Sequence, residues 1–246
     1  FDIKKLINQK SFKKIFIISG KKSFIISGAK NYFDKIILNK EIKFFFKKNN
    51  NPEIRELNKI IRELNKFNPD LIIGVGGGAV LDYAKLSNVF YNETNIKYKV
   101  EKSIYNFKKK KAKLIAIPTT AGSGAEVTPF AVLYLGNLKY SVEHKLVKPD
   151  YYFLIPELVL KANRSIKASA GFDAISQALE SMLSIKSNSE SLNYSSKSLI
   201  LSINNYEKFV NKPNKENTFK MCLAANLAGN AIVTAKTDGP HAVSYP

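Results

Sequence analysis

Asp173 and Gln177 stand four residues apart in the stretch SAGFDAISQALES, and at that spacing they share one face of a helix. The aspartate carboxylate and an imidazole brought in from another helix, His241 of DGPHAVSYP, can hold a divalent ion that acts as a Lewis acid on a carbonyl oxygen. These residues also have ordinary uses, since an aspartate near a helix start caps it and a single histidine is often satisfied by its neighbours. Upstream, IIGVGGGAVLDYAK sets Gly76, Gly77 and Gly78 between an apolar run and a helical one. A strand that ends in glycines and opens into a helix offers free N–H groups and the positive end of a helix dipole to an anion. The missing side chains let a pyrophosphate lie against the backbone. The run matches neither G-x-G-x-x-G nor the loop ending in Gly-Lys-Ser/Thr, so alone it also reads as a tight turn. A second polar turn, PTTAGSGAEVTPFAVL, carries Thr119, Thr120, Ser123 and Thr128. Their hydroxyls suit a ribose or a nicotinamide amide, and equally suit capping and turn chemistry.

The elements that must position these residues follow from periodicity. KKIFIIS, IKFFFKK, DLIIGVG and AKLIAIPTT are short apolar runs of strand length. Between them NPEIRELNKIIRELNKF places Ile54, Leu57, Ile60, Ile61 and Leu64 at helical spacing behind Asn51-Pro52, and a helix is predicted from about Ala79 to Phe90. Strands alternating with helices imply a parallel sheet covered on both faces, with its ligand-binding loops at the carboxyl ends of the strands. From about Pro156 every segment reads as helix: IPELVLKAN, SAGFDAISQALESMLS, SLNYSSKSLILSINNYEKFV and TFKMCLAANLAGNAIV. The expected organisation is α/β followed by all-α. A dinucleotide-binding parallel-sheet domain covers 1–157, and a helical metal and substrate domain covers 158–246, with the ligand in the cleft between them.

Composition narrows the class. With 45% hydrophobic residues in 246, a sizeable core is available. Cys222, the single cysteine, excludes an intrachain disulfide framework and suits a reducing compartment. No apolar run is long enough to span a membrane, and FDIKKLINQK lacks the apolar core of a signal peptide, so the cytoplasm is the expected location. The net charge of +19 raises the alternative of a nucleic-acid binder. Arg55, Arg62 and Arg164 are the only arginines, whereas phosphate and base-edge recognition favours arginine's fork. The expectation is therefore no nucleic-acid partner, a solvated basic surface that includes Lys108–Lys111, and attraction for anionic small molecules. A start at Phe1 rather than Met and an end at HAVSYP predict an incomplete chain.

GVGGGAVLDYAK, IPTTAGSGAEVTPFAVL, KLVKPDYYFLIPEL, SAGFDAISQALES and GPHAVSY occur in the order and at about the spacing of the iron-containing (group III) alcohol dehydrogenases, which this chain resembles over nearly its whole length. The resemblance implies an N-terminal dinucleotide-binding domain, a C-terminal helical domain, and oxidation of alcohols or reduction of aldehydes with NAD or NADP. It implies a catalytic Fe²⁺, or Zn²⁺ as in some branches, and a homo-oligomer. By position, Gly76, Gly77, Gly78 and Asp82 resemble the pyrophosphate loop and its support, and Thr119, Thr120 and Ser123 the cofactor-contacting turn. Lys139 resembles a basic residue near the cofactor ribose. Asp173 and His241 match metal ligands. Gln177 replaces the family's histidine four residues after the aspartate, Tyr245 replaces the next histidine, and a last histidine ligand would lie beyond Pro246. Tyr245 is a further candidate, as a proton relay. Many NAD-preferring relatives end the first strand with an acidic residue; here Gly20 stands there, followed by Lys21 and Lys22, which favours NADP or use of both cofactors. Gln177 together with PHAVSY resembles the branch that reduces phosphonoacetaldehyde to 2-hydroxyethylphosphonate. Two rival readings accompany this one: a dehydroquinate synthase or glycerol-phosphate dehydrogenase-like enzyme, and a cofactor-binding homologue without turnover.

Overall fold

The apolar runs predicted as strands between Lys13 and Pro118 form one sheet in the computed structural model, which describes residues 3–10, 12–37 and 39–237. The chain divides into two compact units. One comprises the residues through Ile117 together with Pro129–Phe153, and the other comprises Pro118–Thr128 together with the residues from Leu154 onward.

In the first unit the chain runs through α1 (Ile3–Gln9), β1 (Lys14–Gly20), α2 (Lys21–Ile26), α3 (Ala29–Ile36), β2 (Glu41–Lys47), α4 (Ile54–Phe67), β3 (Leu71–Gly76), α5 (Gly78–Val89), α6 (Ile96–Glu101) and β4 (Lys113–Pro118). An antiparallel hairpin of β5 (Phe130–Leu135) and β6 (Leu138–Glu143) follows, and then a short β7 (Tyr151–Tyr152). The main sheet has the order β2-β1-β3-β4-β7, with β1 parallel to both β2 and β3 and β4 parallel to β7. Every residue of β3 is buried, which explains an apolar run without alternation. Helix α4 would be marginal alone at 14 residues. It is held by burying Leu57, Ile60 and Leu64, each worth roughly 2 kcal/mol. It stops at Asn68, whose φ of 54° lies in the left-handed region that asparagine tolerates.

The buried end of α4 is polar but satisfied. The Glu56 carboxylate accepts from the backbone N–H groups of Lys48 at 2.7 Å and Asn49 at 3.2 Å, and from the Tyr83 hydroxyl at 2.9 Å. Burial and that carboxylate hold the Tyr83 phenol far above its ordinary pKa. The Lys108–Lys111 run is less solvated than its composition implies. Lys110 donates to Asp150 at 3.0 Å and to the carbonyl of Lys148, and Lys111 donates to Asn68. Asp150 also takes Lys113 at 2.9 Å and the Leu114 N–H. These donors keep its carboxyl below the usual range although burial acts the other way.

The second unit holds α7 (Pro156–Leu160), α8 (Arg164–Leu183), α9 (Ser189–Asn211) and α10 (Lys215–Ala235). Asparagines start its three long helices: Asn163 accepts from Ile166 N–H, and Asn188 and Asn214 form reciprocal capping boxes with Ser191 and Asn217. Ala121, Val159, Ala174, Phe209, Met221 and Ala225 build its core.

The sequence reading drew a single boundary at 157/158, whereas the turn 118–128 groups with the helices. The physical reason is glycine. A Cβ on Gly122 would stand 2.7 Å from the Ala170 carbonyl oxygen of α8. A Cβ on Gly124, whose φ is +58°, would stand 2.5 Å from the Gly229 Cα of α10. Only bare backbone can lie so close to the two helices. The sequence from Pro118 to Leu133 suggests one polar turn, but Phe130–Leu135 is strand β5, with Ala131, Leu133 and Leu135 buried on alternate positions.

Candidate functional site: a glycine turn and a metal-ligand pair

Strand β3 delivers the chain to Gly76, and α5 begins two residues later. Gly77 occupies the N-cap position in extended conformation and no side chain caps the helix. The N–H groups of Gly78 and Ala79 have no partner among the described residues, and both residues are only half-buried. An uncapped helix start of this kind concentrates donors and positive potential on one spot. None of the three glycines has a positive φ. At Gly76 the need is steric, because a Cβ there would meet the Val80 side chain at 2.5 Å. The strand-to-helix turn is thus tight because the first turn of α5 folds back onto the strand that feeds it.

Asp82 lies one turn into α5 and is buried. Its carboxylate accepts from the Val132 N–H of β5, with Lys85 and Lys139 acting on it electrostatically. Burial outweighs those cations and pushes its carboxyl up to about 6. Asp82 therefore fixes α5 to the hairpin from inside. Lys139, on β6 opposite Tyr134, is one of the cations near it. Gly20 ends β1 in extended conformation, and the Ser23 hydroxyl donates to its carbonyl at 3.0 Å.

In the helical unit, Thr119 is buried while Thr120 and Ser123 are half-buried, and Ser123 Oγ accepts from the Ala125 N–H at 3.4 Å. Asp173 lies well inside α8, which starts at Arg164, so it caps no helix. It is half-buried. One turn on, Gln177 is buried, and its Oε1 has no hydrogen-bond partner among the described residues. A buried amide oxygen left unpaired costs about 1–3 kcal/mol, so its position in mid-helix calls for a reason. His241 and Tyr245 lie outside the described residues. Among the described residues no three His, Cys, Asp or Glu side chains cluster closely enough to hold a metal ion. Asp173 and the orphaned Gln177 oxygen are hard oxygen donors of the kind a divalent ion accepts.

Two features escaped sequence reading. Glu126 and Asn226, both buried, meet with Asn226 Nδ2 donating to Glu126 Oε1 at 3.0 Å, and so tie the 118–128 turn to α10. Burial, reinforced by that carboxylate, pushes the nearby Cys222 thiol up to about 12. No local pattern announces a pair a hundred residues apart. The β5–β6 hairpin did carry a signal, since Gly136-Asn137 sits between alternating apolar residues, with Gly136 at φ +64°.

The profile of the iron-containing alcohol dehydrogenases matches residues 2–156. The chain belongs to that family. An aldehyde-alcohol dehydrogenase of Clostridium acetobutylicum is 33% identical over 225 residues, covering 83% of this chain and 26% of that one. Among solved structures, sulfoacetaldehyde reductase from Bifidobacterium kashiwanohense, in complex with NAD⁺, superposes with a TM-score of 0.91 at 26% identity. That match covers 98% of this chain and 64% of the reductase. An iron-containing alcohol dehydrogenase of Thermotoga maritima gives 0.87 at 26% identity, over 98% of this chain and 69% of that one. The chain thus spans about a quarter of the length of the aldehyde-alcohol dehydrogenase it matches. The fold of a parallel sheet with a helical C-terminal part is the fold of this family. No helix among the described residues is long and apolar enough to cross a membrane.

Proposed function

We propose that this chain belongs to a metal-dependent NAD(P)H oxidoreductase that interconverts an aldehyde and a primary alcohol. The observation that carries the reading is the buried, unpartnered Gln177 oxygen one helical turn from Asp173 in a member of the iron-containing family. Asp173, Gln177 and His241 would hold Fe²⁺ or Zn²⁺. When bound, the ion supplies Lewis-acid polarisation of the aldehyde oxygen. The uncapped N–H groups of Gly78 and Ala79 would grip the dinucleotide's diphosphate, and Asp82, paired behind them, keeps α5 in place. Thr119, Thr120 and Ser123 would orient the nicotinamide end and Lys139 would stand near the ribose of a bound dinucleotide, whose chemistry would be hydride transfer. Tyr245 moves a proton at its hydroxyl. Gly20 with Lys21 and Lys22 leaves the adenosine ribose without a carboxylate, which accommodates NADP as well as NAD.

The aldehyde is anionic, of the phosphonate or sulfonate class. Two observations support this: the structural likeness to a sulfoacetaldehyde reductase and the chain's net charge of +19. The protein acts as a homo-oligomer in the cytoplasm. Metal analysis of the purified full chain, combined with NADPH and NADH oxidation against sulfoacetaldehyde, phosphonoacetaldehyde and butanal, tests the proposal. Bound iron or zinc, faster turnover of the acidic aldehydes, and metal loss in Gln177→Ala that Gln177→His restores are expected. Absence of bound metal together with no oxidation for any aldehyde would overturn it.

A further inference from the structure

Strand β2 forms one outer edge of the main sheet and β7 the other. β7 is two residues long, and so short a strand offers little to pair with. β2 has seven residues in unbroken register with β1, with no proline or bulge to blunt it. The Glu41 N–H donates to the Lys13 carbonyl just before β1. Strand geometry alternates, so the N–H and C=O groups of Glu41, Lys43, Phe45 and Lys47 point to β1, and those of Ile42, Phe44 and Phe46 point outward. The outward N–H groups have no partner among the described residues. Lysine commonly guards such an edge. Here Lys43 is drawn to Glu63 at 2.6 Å and Lys47 to the Asn49 carbonyl at 2.6 Å, both within the chain. The face shared by Ile42, Phe44 and Phe46 is apolar. Phe44 stacks on Phe46 with ring centroids 5.7 Å apart, and Phe24 of α2 closes on both. Phe44 nevertheless stays 41% exposed, and Ile25 and Ile26, next to Phe24, are more than half exposed.

We propose that β2 pairs antiparallel with β2 of a second copy of this chain, about a twofold axis at Phe44. A twofold contact requires a strand that complements its own reverse, and this one does. With Phe44 opposite its own copy, Ile42 faces Phe46 and every residue of the strand is paired. The outward groups of Ile42, Phe44 and Phe46 then take the hydrogen-bonded positions. Glu41 stands opposite Lys47 at each end of the strand pair, so the charges attract across the contact. The Glu41 side chain is 57% exposed although it also meets Lys14 at 3.3 Å, so it can reach a second cation. Lys43 falls opposite Phe45 and brings its own counter-ion, Glu63. Phe44 meets Phe44 across the axis, which covers the most exposed apolar side chain of the strand. A strand from another protein would need no such self-match. This interface rests on the homo-oligomer proposed above, and assembly is read without turnover.

Sedimentation equilibrium of the full chain over a range of concentrations should show a monomer–dimer equilibrium. Glu41→Lys changes an exposed residue and should weaken the dimer about tenfold, because two symmetry-related pairs turn repulsive. Phe44→Lys sets two ammonium groups against each other across the axis and should leave only monomer, with thermal melts checking that it folds. Phe44→Cys should close a disulfide with its copy under mild oxidation. Opposed residues of a hydrogen-bonded pair lie about 5.5 Å apart at Cα, within disulfide reach. Glu216→Cys, exposed on α10, should not cross-link. If Phe44→Lys fails to fold, Glu41→Lys and the cross-link decide. A monomeric wild type refutes the proposal and leaves the edge to a strand of another protein. A dimer indifferent to Glu41→Lys, with no Phe44→Cys cross-link, refutes this interface while the homo-oligomer stands.

Discussion

The two glycine-bearing turns at the ends of β3 and β4 look alike as text and are used differently in space. In the first, Gly76 makes room for Val80 of its own helix, and the free N–H groups at Gly78 and Ala79 face outward from a half-buried surface. In the second, Gly122 and Gly124 let the backbone sit on α8 and α10, and the Glu126–Asn226 hydrogen bond locks that contact. The first turn keeps its donors available, whereas the second spends its glycines on packing. A run of glycines therefore says that something comes close, and only the fold says whether that something is a ligand or the chain itself.

The largest test of this contrast is Gly124→Ala. It forces a side chain into left-handed backbone and against Gly229, so a loss of roughly 4 kcal/mol is expected from strain and overpacking together. Urea unfolding of the helical unit measures it, and a loss under about 1 kcal/mol would contradict the close backbone approach. Gly76→Ala should cost roughly 2–3 kcal/mol by collision with Val80. In a Val80→Ala background the same change should cost under about 1 kcal/mol, which a double-mutant cycle reads directly. NADPH affinity in the Gly76→Ala/Val80→Ala protein then isolates what the turn does for the nucleotide.

A pH series probes the first turn through the buried carboxyl that backs it. The Asp82 carboxyl, raised to about 6, holds its proton more tightly folded than unfolded. Its contribution to stability is therefore full below the ordinary carboxylate pKa near 4 and is lost as pH rises through about 6. Relative to Asp82→Asn, the wild type should lose roughly 3 kcal/mol across that window. A flat difference would mean that Asp82 is solvated. The smallest effect belongs to Ser123→Ala. Its long hydrogen bond to Ala125 predicts a stability loss of about 0.5 kcal/mol or less, so any larger drop in cofactor affinity reports a contact made to the nucleotide.

How legible the fold was depends on how local its causes are. The strands around Ile17, Ile73 and Ile115 and the stripe Leu57–Ile60–Leu64 follow from runs and periods within one segment, and they were readable. The helix that carries Asp173 and Gln177 was readable for the same reason, and with it their shared face. The β5–β6 hairpin was obscured because its polar approach, TTAGSG, resembled a binding turn more than a strand entry. The grouping of 118–128 with the helices and the burial of Gln177 depend on residues far away in sequence, so no local pattern encodes them.

Cys222 gives the helical unit a built-in clock. Reagents that modify sulfur attack the thiolate, and at neutral pH a group pushed up to about 12 in a buried setting offers almost none. Labelling of this one sulfur must wait for α10 to part from its surroundings. Its rate under mild conditions thus counts opening events of that unit, one molecule at a time, with no engineered reporter.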